Sequence, residues 1–142
     1  MKNINRLNDF LKEYSKKKNI CEAFSSFARK SSGNRNDIDE LILLQTEYRQ
    51  ANGWDNNIHC LIEAGGYLGQ RYDETADYFF EKLISSEEDN TDSKYFLSHC
   101  LTVASKINPH ATELLWKISS SAQISAYGAY GRRGGNDIEK KV

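Results

Sequence analysis

Forty residues separate two copies of one tripeptide, His59-Cys60-Leu61 and His99-Cys100-Leu101. At the same offset Leu43-Leu44 matches Leu83-Ile84, and Ala64 matches Ala104. A fixed period of this length marks one supersecondary unit used twice, each copy burying its apolar side against the next. The unit is helical: apolar residues recur at three- and four-residue steps almost throughout, and the only proline is Pro109. Two helix pairs, 38–68 and 74–107, then align without a gap.

The spacing predicts a first helix over about 3–17, with Ile4, Leu7, Phe10, Leu11 and Tyr14 on one face, and a second over about 20–30. Asp37 with Glu40 three residues later predicts a capping box for a helix over about 38–52, ended by Asn52-Gly53. A helix over about 55–68 is closed by Gly65-Gly66 or Gly69. Asp73 caps the next, about 74–86, and residues 93–107 follow a polar loop. Asn108-Pro109 reads as an N-cap with proline at the first helical position, opening a helix over about 109–124.

This period and pairing resemble a short HEAT-like α-solenoid, and the resemblance covers roughly residues 37–120. The expectation is an all-α fold, either that solenoid or an irregular bundle of about six to seven helices. Residues 1–126 form one domain, with helix-pair repeats at about 37–69 and 73–108 and the first two helices as a cap. The basic, glycine-rich segment 127–142 is expected to be a flexible tail.

Charge is distributed unevenly over this frame. Residues 36–93 hold fourteen Asp or Glu against three Lys or Arg, both ends of the chain are basic, and the total is −1. Concentrated like charge costs stability and serves to steer a cationic partner. Glu74, Asp77 and Glu81 form a stripe on one predicted helix, and Asp39, Glu40 and Glu47 extend the field onto the preceding repeat. Glu87, Glu88, Asp89 and Asp92 add the loop, and Tyr48, Trp54, Tyr72 and Tyr78 are interleaved. Aromatics among carboxylates suit a hot spot for Lys and Arg. The predicted partner-binding residues are therefore Glu74, Asp77, Tyr78, Glu81, Glu87, Glu88, Asp89, Asp39, Glu40 and Glu47; the structural alternative is a solvated helical face.

Catalytic signatures are missing from the sequence: no glycine-rich phosphate loop, no HExxH and no GxSxG. Adjacent helical residues diverge by about 100°, so neither His-Cys pair readily aims at one metal, and structural use of these side chains is expected. No catalytic residue, cofactor or metal is assigned. Gly65-Gly66-Tyr67-Leu68-Gly69 reads as helix capping and close packing rather than a phosphate cradle. Cys21, Cys60 and Cys100, odd in number and without CxxC spacing, suit reduced thiols in the cytoplasm. No apolar run approaches a membrane span.

In size, helical repeat and charge layout the chain is similar to immunity proteins of bacterial toxin–immunity systems, including helical ones paired with contact-dependent growth-inhibition toxins. That resemblance implies neutralisation of a cognate toxin with a basic, nuclease-type surface by tight binding, without catalysis or cofactor. One alternative is a HEAT-like protein-interaction adaptor. Another is a nucleic-acid-binding protein using Lys16-Lys17-Lys18, Arg29-Lys30 and the Tyr127–Gly135 segment, though nucleic acid is the less expected partner. The oligomeric state is left open.

Overall fold

The computed structural model describes residues 2–85 and 91–119. Among them the chain forms seven helices: α1 Lys2–Tyr14, α2 Ile20–Lys30, α3 Arg35–Asn52, α4 Ile58–Arg71, α5 Asp73–Ile84, α6 Thr91–Ser105 and α7 Pro109–Ser119. The fold is an all-α bundle. Its core runs through every helix, from Leu7, Phe10, Phe24 and Phe27 to Leu61, Leu68, Phe79, Phe96, Leu101 and Leu114. The expected tail, 127–142, lies outside the described residues.

Helix ends follow local chemistry, and several differ from the expected positions. α1 stops at Tyr14, before Ser15, whose Oγ accepts a hydrogen bond from the Asn19 amide at 2.9 Å. Lys18 takes φ 54° in that turn. α3 begins three residues early because Asn34, rather than Asp37, is its cap; Asn34 Oδ1 accepts from the Asp37 amide at 2.9 Å. The Asn108-Pro109 start behaves as expected, with Asn108 Oδ1 accepting from the His110 amide at 2.9 Å. The Asn108 side-chain amide also donates to the Gly69 carbonyl at 3.0 Å and to Asp73 Oδ1 at 2.9 Å. This buried side chain ties the start of α7 to the α4–α5 turn.

The two helix pairs are not packed alike. α4 lies along α6, and α5 packs closely on both α6 and α7, whereas α3 touches α4 and α5 only lightly. Leu83 is buried while its counterpart Leu43 is exposed. A cleft of about 260 Å³ opens there, lined by Ile42, Leu43, Thr46, Lys82 and Leu97. The glycines expected to end α4 instead sit inside it, where they let α6 approach.

The cysteine expectation is corrected. Cys21 on α2 and Cys60 on α4 are joined by a disulfide, with Cα atoms 5.2 Å apart, and only Cys100 is a free thiol. Helix packing brings together two residues that the chain separates by 39 positions. Disulfides persist in oxidising compartments, so the cysteines no longer argue for a reducing one. Among the described residues, no helix is long and apolar enough to cross a membrane.

Candidate partner-binding surface

The expected acidic stripe on α5 divides between two neighbours. On the α3 side, the Tyr78 hydroxyl donates to Asp39 Oδ1 at 2.6 Å, and Arg35 bonds Glu81 Oε2 at 3.0 Å. The Arg35 guanidinium carbon also stands 4.6 Å from the centre of the Tyr78 ring. Burial, reinforced by the Asp39 carboxylate, pushes the Tyr78 phenol up to about 12. On the α7 side, Asp77 Oδ1 meets His110 Nε2 at 2.6 Å, and that contact holds the imidazole above its usual range. Glu74 is exposed one turn before Tyr78. Asp39, Tyr78 and Glu81 therefore converge, while Asp77 faces elsewhere. Glu87, Glu88 and Asp89 lie outside the described residues.

A denser acidic site lies on the other side of α3. There Asp37 and Glu40 face Asp9 and Glu13 of α1 across a groove of about 620 Å³, with Arg6 the basic lining residue among those described. Phe10, Tyr14 and Phe27 line it as well. Their rings pack at 5.0–5.6 Å between centres, which gives the wall a rigid aromatic face. Asp37 accepts from Ser31 Oγ at 2.6 Å, and Glu40 is paired with Arg6. Desolvation, then the Glu13 charge, raises the Tyr14 phenol. A lysine or arginine entering this groove meets carboxylates at close range and aromatic faces beneath.

Sequence reading missed Asp9 and Glu13 because they belong to a segment that is basic overall. The available signal was their spacing: Asp9 and Glu13 are four apart and share one face of α1.

Glu47 is the second correction. Expected on the acidic surface, it is only 4% exposed, and its carboxylate oxygens are sealed from solvent beside the Leu7 backbone. Burial pushes its carboxyl above the ordinary range, against a downward pull from Arg6.

The interleaved aromatics also separate. Tyr48 is buried, its hydroxyl donating to Asp55 Oδ2 at 2.6 Å. Trp54 is 46% exposed, with the Arg49 guanidinium 4.1 Å from its ring and the Tyr95 ring edge-on at 5.5 Å. It belongs to a surface stack rather than to the core.

The histidines of the repeat occupy unlike settings. His59 is exposed, whereas His99 is half-buried against Tyr95, ring centres 4.7 Å apart. Burial, with His59 nearby, pushes His99 down to about 4. The folded protein thus refuses a proton that the unfolded chain accepts near 6.5. This effect alone makes stability fall as pH drops from 6.5 toward 4. The expected result is that His99→Phe, which keeps a ring beside Tyr95, gains stability relative to the parent as pH is lowered. Urea unfolding at about pH 7 and about pH 5 checks this; an unchanged difference between the two proteins refutes it.

Among the described residues, no group of three or more His, Cys, Asp or Glu is arranged to hold a metal ion. The chain matches no protein-family model, and no curated protein or solved structure matches it at a significant level.

Proposed function

We propose that this protein acts by binding: it neutralises a basic protein partner, as an immunity protein does a nuclease-type toxin, through the acidic surface organised by α3. The observation that supports this most is the groove in which Asp9, Glu13, Asp37 and Glu40 stand beside three aromatic rings. Asp39, Tyr78 and Glu81 extend the surface across α3 to α5. The ion pairs already present are no obstacle. Exposed pairs such as Arg35 with Glu81 contribute about 0–1 kcal/mol, so a partner's cation displaces them at small cost.

Such an interface associates quickly and loses rate with salt. The test is whether an open reading frame beside the gene for this chain ends in a toxin-like domain, and whether that domain binds this protein. Changing Asp9, Asp37 and Glu40 together to Asn, Asn and Gln is expected to slow association roughly tenfold or more and to flatten the salt dependence. Binding that is equally fast and equally salt-sensitive after the change sinks the assignment, as does a neighbouring gene with no such domain.

The cleft lined by Ile42, Leu43 and Leu97 favours a second reading, an adaptor that takes a peptide segment. A partner whose binding is lost on Leu43→Asp but unaffected by the carboxylate changes points to that reading.

A further inference from the structure

The Cys21–Cys60 bond lies in the lining of an open groove of about 430 Å³ between α2 and α4. Both sulfurs belong to first turns: Cys21 is the second residue of α2, and Cys60 is the third of α4. A first turn presents backbone N–H groups and the positive end of the helix dipole, so it stabilises a thiolate. Stabilised thiolates leave readily, and disulfides that release them are the exchangeable ones.

The two sulfurs are not equivalent. The first turn of α2 is capped, with Asn19 Oδ1 accepting from the Glu22 amide at 2.9 Å, and Glu22 adds negative charge beside Cys21. Asn57 Oδ1 also stands 3.5 Å from Cys21 Sγ, an acceptor that suits a neutral sulfur and opposes a thiolate. The first turn of α4 has no side-chain cap, and Glu63, one turn beyond Cys60, is exposed to screening solvent. Cys60 is therefore the better leaving group, and Cys21 is the sulfur open to attack.

Arg29 gives the groove its selectivity. The side chain is exposed on the lining, and its Nη1 donates to Ser25 Oγ, which folds the guanidinium back along α2 toward Cys21. Its other N–H groups form a fork for a carboxylate.

We infer that this groove is a thiol–disulfide exchange site for a low-molecular-weight thiol that carries a carboxylate, and that Cys21 is the residue modified. The incoming thiolate attacks Cys21 Sγ and forms a mixed disulfide. The Cys21–Cys60 bond breaks, and its electron pair leaves on Cys60, which takes a proton from water. A second thiolate attacks the reagent's sulfur in the adduct; Cys21 departs, takes a proton and can donate it to Asn57 Oδ1. Two small thiols are oxidised to their disulfide while one protein disulfide is reduced, and the same small disulfide reverses the sequence. Opening the bond uncouples the α1–α2 hairpin from α4. That hairpin carries Asp9, Glu13, Phe10, Tyr14 and Phe27, so one wall of the acidic groove loosens. The exchange site stands independently of the partner proposed for that groove.

The experiment incubates the full, oxidised chain with glutathione, quenches with acid and maps adducts by peptide mass. Opening is expected at a rate proportional to glutathione concentration, with the first adduct on Cys21 and none on the buried Cys100. Arg29→Gln is expected to slow opening by glutathione about threefold while leaving the neutral thiol mercaptoethanol unaffected. In the opened protein, amide hydrogen exchange in α1 and α2 is expected to quicken about tenfold or more. The inference is overturned if the rate levels off at the rate of global unfolding, if the first adduct maps to Cys60, or if Arg29→Gln affects both thiols alike. Unchanged hydrogen exchange in α1 and α2 overturns the loosening of the groove wall. No readout uses a partner, so these failures are distinct from a failure of toxin binding.

Discussion

Opening the Cys21–Cys60 bond is expected to lower the free energy of unfolding by about 3–4 kcal/mol. The bond closes a loop between residues 39 apart in sequence, and its main effect is to deny the unfolded chain the freedom of that loop. It also joins α2 to α4. α1 reaches the rest of the molecule largely through α2 and α3, so the bond anchors the whole N-terminal hairpin. For a domain of this length such a loss corresponds to a fall of roughly 10–20 °C in Tm. Both cysteines are half-buried and line an open groove of about 430 Å³ with Ser25, Arg29, Glu63 and Tyr67, so a small dithiol reaches the bond. Thermal melts with and without dithiothreitol, and of the Cys21→Ser/Cys60→Ser variant, measure the effect. Cys100 does not confuse the comparison, because it is fully buried and burial holds its thiol well above the ordinary range. A Tm unchanged by reduction, with both thiols shown free by mass, contradicts the expectation.

The sequence reading reached the helices because helical periodicity and capping are local. Asn108-Pro109 needed only its own side chain and ring to announce α7. The forty-residue match also carried packing information, since residues on the second helix of each pair, Leu61 with Leu101 and Ala64 with Ala104, are all buried. What stayed hidden was pairing between helices. The apolar stripe of α3 predicts that one side is covered but not how tightly, and Leu43 is left exposed where Leu83 is covered. Glu47 lies on the same helix as the exposed Arg35 and Asp39, and its burial follows from how α1, with Leu7 and Leu11, folds against the end of α3. Cys21 and Cys60 meet because α2 crosses α4, a fact about two helix faces rather than about cysteine spacing. The acidic site had the same limit. Summing charge along the chain finds Asp37, Asp39 and Glu40, but Asp9 and Glu13 join them only when α1 folds across.

The glycines of α4 carry the second large prediction, because there local preference and packing oppose each other. Gly65 and Gly66 lie inside a helix, where alanine is preferred to glycine by about 1 kcal/mol. Each nevertheless faces α6 at a separation that leaves no room for a methyl group. A Cβ on Gly66 would stand 2.4 Å from Val103 Cγ1 and 2.6 Å from Val103 Cβ. A Cβ on Gly65 would stand 2.5 Å from Cys100 Sγ but 3.4 Å from Cys100 Cβ. Overpacking of this kind costs about 1–3 kcal/mol, so each single change to alanine is expected to destabilise by about 1–2 kcal/mol after the helical gain. The two sites then part company. Cys100→Ala removes the sulfur and leaves ordinary contact, so in that background Gly65→Ala is expected to become neutral or stabilising by up to about 1 kcal/mol. Val103→Ala cannot rescue Gly66→Ala in the same way, because the offending Cβ remains and moves only with the α6 backbone. Urea unfolding of the two double-mutant cycles reads this contrast directly. Equal rescue at both positions, or no penalty for either single change, means that α4 and α6 do not approach as closely as these glycines allow.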